Sequence, residues 1–140
     1  MKIVIDTNCI VRILPRISPY RCLWNAFLRG EFSLCFTTEI LQEYEEILSR
    51  FFDTDFALLT IELLLKSPNV IQTVPYFKWN LISADPDDNK FVDCALNAGA
   101  DWIVTNDKHF NQLKDIDFPK INIIDIDAFK QLILSHQTSL

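Results

Sequence analysis

The sequence predicts an α/β sandwich built around a parallel sheet. Short apolar runs alternate along the chain with longer segments of helical hydrophobic spacing, which is the order expected of strands and helices in this fold class. Only two glycines interrupt the sequence, and it contains no repeat and no long polar linker. Its 140 residues are 49% hydrophobic, enough for one substantial core, so we expect residues 1–140 to form a single domain.

Each element is predicted from its own pattern. Strands are expected at the apolar runs 3–5, 34–36, 70–71, 102–104 and 121–124. The clearest helix spans 39–51, because one of its faces collects the apolar residues Ile40, Leu41, Tyr44, Ile47, Leu48 and Phe51. A second helix is expected to begin at Asp85–Pro86, with Asp85 as its N-cap, and to end at Gly99. Further helices are expected near 9–14, 20–29, 54–66 and 127–135.

Composition narrows the function classes. A formal net charge of −6 argues against sequence-blind adhesion to nucleic acid, which needs a surface rich in lysine and arginine. The apolar runs are too short to span a membrane and no signal peptide is recognisable, so we expect a cytoplasmic protein without a membrane partner. The four cysteines form no C-x-x-C pair and lie in apolar surroundings, which favours reduced, mostly buried thiols.

Acidic residues follow two of the predicted strands. Asp6 comes directly after the first strand, and Asp107 follows the strand at 102–104 after Thr105 and Asn106. The carboxyl ends of parallel strands open onto a common crevice, so we expect these residues to form two walls of one site. Acids at strand ends also act as turn and helix-cap residues, and either acid taken alone is open to that interpretation.

Two helical acids complete the predicted cluster. Asp88 falls between Phe91 and Val92 around the helix axis and therefore points along the core-directed face, where a charge needs a partner. The alternative is that Asp88 complements the helix dipole, although Asp87 suits that role better because it faces away from the apolar stripe. Glu43 lies at the edge of the buried face of its own helix, and a solvated surface acid is the alternative there.

A cluster of four carboxylates needs a counterion. Two carboxylates about 4 Å apart repel one another by roughly 4 kcal/mol at an effective dielectric near 20, and a bound divalent cation offsets that repulsion. A ligand set made of oxygen, without histidine or thiol, favours Mg²⁺ or Mn²⁺. Such an ion activates water and stabilises charge on phosphate, so the pattern indicates phosphodiester hydrolysis.

The same residues carry a resemblance to a known family. Its motifs are the run 3–8 around Asp6, Glu43 within 39–43, the run 85–90 around Asp88, and the run 100–107 that ends in Asp107. They resemble PIN-domain nucleases over nearly the whole chain, and more closely the toxin components of bacterial toxin–antitoxin systems. The resemblance implies a three-layer α/β/α sandwich whose parallel sheet has about five strands in the order 3-2-1-4-5.

The resemblance also implies roles for individual residues. The implied catalytic residues and metal ligands are Asp6, Glu43, Asp88 and Asp107. Asn8 and Thr105 would orient carboxylates or water from behind them. The implied substrate is single-stranded RNA, and the implied partners are a small antitoxin protein and further copies of the chain in a homodimer or higher homo-oligomer. A shift of register by one residue would put Asp87 in the place of Asp88.

Several residues near the acids are candidates for contact with the substrate, and each also has a purely structural explanation. Arg12 and Lys90 are candidate phosphate contacts, although a solvated helix surface is the favoured explanation for Arg12 and a lysine beside acids, such as Lys90, often serves only local charge balance. His109 lies near the proposed site, but metal-activated water does not require a histidine. The aromatic residues at 51–52, 56, 76–77 and 79 are suited to stacking bases or to packing in the core or an interface.

Two rival functions stand beside the nuclease. An inactive domain that binds RNA or protein without cutting would be favoured if one of the four acids were replaced, and all four are present. A Mg²⁺-dependent phosphotransfer domain would use a strand-end Asp with a Thr and a Lys, a set that Asp6, Thr105 and Lys108 provide. That second interpretation leaves Glu43 and the core-facing Asp88 unexplained.

Overall fold

A five-stranded parallel sheet lies at the centre of the fold. The structure is a computed structural model, and it describes residues 1–83 and 85–138. The strands in chain order are β1 (Lys2–Ile5), β2 (Ser33–Phe36), β3 (Val70–Gln72), β4 (Trp102–Val104) and β5 (Ile123–Ile124). They pair in the order β3-β2-β1-β4-β5, every pair is parallel, and helices cover both faces. The predicted three-layer sandwich and its strand order are confirmed.

Six α-helices lie within the described residues. They are α1 (Thr7–Ile13), α2 (Arg21–Leu28), α3 (Thr38–Phe51), α4 (Thr54–Lys66), α5 (Asn89–Ala98) and α6 (Ile126–Thr138). Side-chain caps begin two of them, since Thr37 accepts a hydrogen bond from the Ile40 amide and Asp53 accepts one from the Phe56 amide. Gly99 ends α5 in the left-handed conformation with φ +68°, as its sequence position predicts.

The helical segment begins after Asp85, which caps it as predicted, but its first turn is not α-helical. Pro86–Asp88 forms a single 3₁₀ turn, and α5 begins only at Asn89. The Asp85 carbonyl accepts a hydrogen bond from the Asp88 amide at 3.1 Å, three residues further on, which is the bond of the tighter helix. A second 3₁₀ helix, Lys108–Asp115, follows β4 and was not predicted. Both 3₁₀ segments lie beside the predicted acidic site.

Aromatic side chains join the helices to the sheet. Trp24 and Phe27 of α2 contact each other with ring centroids 5.2 Å apart, Phe27 contacts Phe32 at 5.9 Å, and Phe32 contacts Phe129 of α6 at 5.3 Å. Tyr44 of α3 is fully buried, and its hydroxyl donates a hydrogen bond to the Ile5 carbonyl. That bond holds α3 against the last residue of β1, directly before Asp6.

The cysteines are buried largely as predicted, whereas Phe51 is not. Cys9, Cys35 and Cys94 are buried and all four cysteines are free, which agrees with reduced, mostly buried thiols. Phe51, which was expected on the buried face of α3, is 65% exposed because the last turn of the helix borders an open groove. Among the described residues, no helix has the combined length and apolar character that crossing a bilayer requires.

Candidate metal centre

The carboxyl ends of β1 and β4 bring the first acids together. The Asp6 amide donates a hydrogen bond to the Val104 carbonyl at 2.9 Å, which ties the ends of the two strands to each other. Asp6 also precedes α1, but its side chain makes no capping hydrogen bond there, so the helix-cap alternative is wrong for this residue. Instead, its Oδ2 atom accepts a hydrogen bond from the Thr105 hydroxyl at 2.7 Å.

A crevice of about 170 Å³ opens at this end of the sheet. Its lining residues are Asp6, Thr7, Asn8, Glu43, Ile47, Asp85, Asp88 and Asp107. All four predicted acids therefore line one cavity. Asp85, which the sequence singled out only as a helix cap, is a fifth acid in the same place.

Asp88 is a buried acid of the crevice. Its side chain is 12% exposed, and its buried Oδ2 atom has no hydrogen-bond partner among the described residues. Burial raises the pKa of Asp88 to about 7, with further increases from the carboxylates of Asp85, Asp107 and Asp6. Asp87, in contrast, is 70% exposed and pairs with a lysine. Asp88 rather than Asp87 therefore faces the crevice.

Asp6 and Asp107 form the strand-end part of the site. Burial raises the pKa of Asp6 to about 6, although the hydrogen bond from Thr105 lowers it. The Asp107 carboxylate accepts a hydrogen bond from the His109 amide at 2.9 Å, so it caps the 3₁₀ helix that follows while it lines the crevice. The Asp107 amide donates to the Thr105 hydroxyl oxygen at 3.0 Å, so Thr105 contacts both strand-end acids.

Glu43 stands on the other side of the crevice with a cation beside it. Its Oε1 atom lies 2.8 Å from the Lys90 ammonium, and its Oε2 atom accepts a hydrogen bond from the Thr7 hydroxyl. The Lys90 side chain is only 6% exposed and also pairs with Asp87 at 2.9 Å. Burial lowers the pKa of Lys90, but the two acids raise it further, so the net shift is upward. The structure thus places Lys90 in local charge balance and away from an open phosphate-binding surface.

His109 lies closer to the acids than the sequence indicated. Its Nδ1 atom is 3.3 Å from Asp107 Oδ1 and 3.8 Å from Asp88 Oδ2. One ligand atom each from Asp85, Asp88 and His109 lie within 4.8 Å of one another. In the sequence, His109 stands two residues after Asp107. That position brings its side chain to the acids because Lys108–Asp115 is a 3₁₀ helix.

A wider groove of about 460 Å³ adjoins the crevice. It shares Asp6, Asn8 and Asp107 with the crevice and continues past Arg12 and Phe51. Both Arg12 and Phe51 are exposed. The groove therefore offers a guanidinium and an aromatic ring on its floor and walls, next to the carboxylates.

The other aromatic candidates lie elsewhere. Phe52 and Phe56 line a separate apolar groove together with Trp24 of α2. Phe77 and Trp79 contact each other with ring centroids 4.9 Å apart, and neither lines the crevice or the groove beside it. Of the aromatic residues singled out from the sequence, Phe51 is the one beside the acids.

The donor set of the crevice fits a divalent cation. Its acids supply oxygen ligands, and the burial that raises the pKa values of Asp6 and Asp88 marks charge that lacks compensation. The unpartnered Oδ2 atom of Asp88 is the position at which a bound ion would satisfy a buried polar group. A Mg²⁺ or Mn²⁺ ion suits these ligands in charge and in hardness.

Solved structures of other proteins share this fold. The crystal structure of VapBC2 from Rickettsia felis bound to a DNA fragment from their promoter has a TM-score of 0.60 at 15% identity, covering 89% of this chain and 98% of that chain. VapBC-1 from nontypeable Haemophilus influenzae also has a TM-score of 0.60, at 16% identity, covering 91% and 99%. At such identities the likeness shows the fold alone.

Sequence comparison gives the family. No functionally curated protein matches the chain. A family model of the PIN domain matches residues 2–109, a span that contains all four of the acids predicted from the sequence. Because this match covers more than half of the 140 residues, the chain belongs to the PIN domain family.

Proposed function

We propose that this chain is a divalent-metal-dependent endoribonuclease that hydrolyses phosphodiester bonds of single-stranded RNA at the acidic crevice. The observation that carries the proposal is the buried, unpartnered Oδ2 atom of Asp88 in a crevice with Asp6 and Asp107. Membership of the PIN domain family supports nuclease activity. RNA is proposed as the substrate because the sequence motifs resemble those of ribonucleases of this family.

The crevice acids would act as the metal ligands. Asp6, Asp88 and Asp107 would hold Mg²⁺ or Mn²⁺ directly, and Glu43 would complete the set from the opposite side, where Lys90 fixes its carboxylate. When bound, the ion would lower the pKa of a water molecule and offset the charge that develops on the phosphate. The same ion would remove the mutual repulsion of the carboxylates, so binding it would stabilise the fold.

Other residues of the chain would position the ligands. The Thr105 hydroxyl donates a hydrogen bond to one oxygen of Asp6 and accepts one from the Asp107 amide. It would therefore fix the separation of the two strand-end acids. Asn8 lines both cavities and would orient water or phosphate through its amide. Tyr44 holds α3 at the end of β1, which keeps Glu43 within reach of the crevice.

The neighbouring groove would bind the RNA strand. Arg12 would contact a phosphate on one side of the cleavage position, since an exposed guanidinium is well suited to phosphate oxygens. Phe51 would stack against a base, because it is exposed and lies in the same groove as Arg12. Lys90 is not part of this proposed contact, since its two ion pairs occupy the ammonium group.

The proposed biological role is that of the toxin in a toxin–antitoxin pair in the cytoplasm. The fold shared with the two VapBC structures and the resemblance of the motifs support this role. The proposed partners are a small antitoxin protein and a second copy of the chain. An apolar groove lined by Trp24, Phe52, Phe56 and Leu63 is consistent with a protein partner. Light scattering of the purified chain, alone and co-expressed with the product of a neighbouring gene, tests both partners.

The proposed activity is tested by RNA cleavage. Purified protein is incubated with end-labelled single-stranded RNA and Mg²⁺ or Mn²⁺, with EDTA in a parallel reaction. We expect cleavage with either metal, none with EDTA, and none with Asp6→Asn. Asp55→Asn serves as the matched control, because Asp55 is exposed on α4 and lines neither cavity. It should cleave like the unmodified chain.

Other outcomes of the same experiment point elsewhere. RNA that is retained by the protein in a filter-binding assay but never cut, across metals and pH values, would support the inactive binding domain. Cleavage that survives EDTA and Asp6→Asn would contradict both the metal and the site. Equal cleavage of single-stranded DNA and RNA would leave the nuclease proposal in place and correct its substrate class.

A further inference from the structure

One corner of the crevice contains a nitrogen ligand among the acids. Asp85, Asp88 and His109 each present one ligand atom within 4.8 Å of the other two. Asp85 and Asp88 flank the 3₁₀ turn before α5, and His109 belongs to the 3₁₀ helix after β4. Two separate segments of the chain therefore converge on this corner.

The histidine is held so that its imidazole faces the carboxylates. Its amide donates to Asp107 Oδ1 at 2.9 Å, which fixes the backbone of the 3₁₀ helix at the edge of the crevice. Its Nδ1 atom then lies 3.8 Å from the buried Oδ2 atom of Asp88, the oxygen without a hydrogen-bond partner among the described residues. The side chain is 46% exposed, so solvent and ions reach this corner.

The turn before α5 holds the remaining ligand. Asp85 Oδ1 accepts a hydrogen bond from the Asp87 amide at 3.2 Å, which keeps the Asp85 carboxylate at the mouth of the crevice. A cluster of acids is common on protein surfaces and indicates nothing by itself. Here the buried and unsatisfied Asp88 oxygen points to a missing cation, and the nearby imidazole restricts which cation it is.

We propose that Asp85, Asp88 and His109 form a second cation subsite, which shares Asp88 with the proposed catalytic ion and prefers a divalent transition-metal ion to Mg²⁺. The inference rests on the proposed function for that shared ligand. Mg²⁺ strongly favours oxygen ligands and water, whereas imidazole nitrogen is a common ligand of transition metals. One nitrogen donor therefore shifts the selectivity of an otherwise oxygen-rich site.

A charge-balancing role for His109 is the competing explanation. A protonated imidazole would neutralise Asp88 and Asp107 without binding any ion, and its Nδ1 atom would carry a proton. The two roles differ in one measurable property, because only the ligand role places the nitrogen in direct contact with a bound metal. Mn²⁺ is the probe of choice, since it is paramagnetic and is among the weaker-binding ions of the first-row series.

Pulsed electron paramagnetic resonance of Mn²⁺ bound to the full chain tests the subsite. The chain has two histidines, so His136→Ala on α6 is the matched control for His109→Ala. We expect nitrogen modulation of the Mn²⁺ signal in the unmodified chain and in His136→Ala, and its loss in His109→Ala. His109→Gln, which keeps a polar side chain, should lose it as well. Calorimetry should show Mn²⁺ binding weakened about tenfold in both His109 variants while Mg²⁺ binding changes less than about twofold.

The outcomes separate this inference from the proposed nuclease. Bound Mn²⁺ without nitrogen modulation overturns the histidine subsite and leaves the oxygen-ligated catalytic ion in place. Nitrogen modulation that disappears in His136→Ala, or equal weakening of Mg²⁺ and Mn²⁺ binding in His109→Ala, also overturns the subsite. A chain that binds no Mn²⁺ at all overturns both proposals.

Discussion

The two walls of the acidic crevice differ in how their charges are compensated. On the wall made by Glu43, Thr7 and Lys90, which we call the balanced wall, each Glu43 oxygen has a partner. The facing wall, which we call the open wall, is made by Asp6, Asp85, Asp88 and Asp107, and within the described residues it contains no lysine or arginine paired with these acids. Both walls line the same cavity.

This contrast separates charge that the fold compensates from charge that it does not. A buried carboxylate normally acquires a cation within the fold, as Glu43 does. Asp88 is buried at least as deeply and has no lysine or arginine beside it. Its raised pKa therefore shows that burial of its charged form is unfavourable in the folded chain. An open wall of this kind is expected where the compensating cation comes from solution. The balanced wall fixes the position of its acid, and the open wall is where we propose that the ion binds.

The largest expected effect comes from neutralising the open wall. Asp88→Asn should reduce RNA cleavage on the order of 10³-fold, equivalent to about 4 kcal/mol, because it removes a proposed metal ligand. It should leave the metal-free protein as stable as before or more stable, since one source of repulsion is gone. Cleavage rates and thermal unfolding in EDTA measure the two effects.

Asp87→Asn is the matched control for that substitution. Asp87 is the adjacent acid in sequence, but it is exposed and lies outside the crevice. Its replacement should change cleavage by less than about threefold, consistent with a surface ion pair of small energetic weight. A larger loss with Asp87→Asn than with Asp88→Asn would make Asp87, and not Asp88, the metal ligand.

Three acids of the open wall were predictable from the sequence, because their positions follow from the ends of strands and the face of a helix. Asp6 and Asp107 follow apolar strands, and parallel strands that pair directly must bring their ends together. Asp88 was identified because its angular position on the helix matches that of buried Phe91. The order of the strands came from the family resemblance, since apolar runs identify strands but do not say which of them are neighbours.

The balanced wall and the corner with His109 were not predictable in the same way. Lys90 has a long, flexible side chain, and only the packing of α5 beside α3 decides that it reaches Glu43 and becomes buried. His109 reaches Asp88 because the segment after β4 forms a 3₁₀ helix, an element that was not predicted from the apolar pattern. Phe51 was misjudged because helical spacing assigns a face but does not show where the sheet beneath that face ends.

The second expected effect is the loss of compensation on the balanced wall. Lys90→Met should destabilise the fold by about 2 kcal/mol, because it leaves Glu43 beside a buried apolar group without its cation. The figure lies below the ~3–5 kcal/mol of fully buried pairs, since Glu43 is 23% exposed. We expect a fall in Tm of about 4–8 °C.

Lys66→Met is the matched control for the balanced wall. Lys66 pairs with Glu62 on α4, but both side chains are more than half exposed. Its loss should cost no more than about 0.5 kcal/mol. Adding Glu43→Gln to Lys90→Met should restore part of the lost stability. If the Lys90 and Lys66 substitutions had equal effects, the balanced wall would not be a buried ion pair in solution.

A third, smaller effect is the pH dependence of stability that Asp88 of the open wall should cause. The pKa of Asp88 is raised from 3.8 in the unfolded chain to about 7 in the folded one, so the folded state holds this proton more tightly. The resulting stability is complete below about pH 4 and is lost as the pH rises to about 7. In EDTA, the Tm of the unmodified chain should therefore fall relative to that of Asp88→Asn between about pH 4 and pH 7.

The reason is that protonated Asp88 resembles asparagine and ionised Asp88 does not. The two Tm values should be close near pH 4 and differ by several degrees at pH 8. Saturating Mg²⁺ should remove most of the difference at pH 8 by compensating the ionised carboxylate. A difference that is independent of pH and of Mg²⁺ would mean that Asp88 is already compensated within the fold, like Glu43.

The smallest effect is expected where one hydroxyl supports the open wall from behind. Thr105→Val keeps the shape of the side chain and removes the hydrogen bond to Asp6 Oδ2 and the acceptor for the Asp107 amide. Metal affinity should fall about tenfold, the low end of the range for groups that orient a metal ligand. Thr105→Ser, which keeps the hydroxyl, should retain most of the affinity. Calorimetric titration with Mn²⁺ separates the two variants. If Thr105→Ser binds Mn²⁺ as weakly as Thr105→Val, packing of the threonine methyl group rather than the hydrogen bond positions Asp6. The open wall would then depend on contacts with the core, as the balanced wall depends on Lys90.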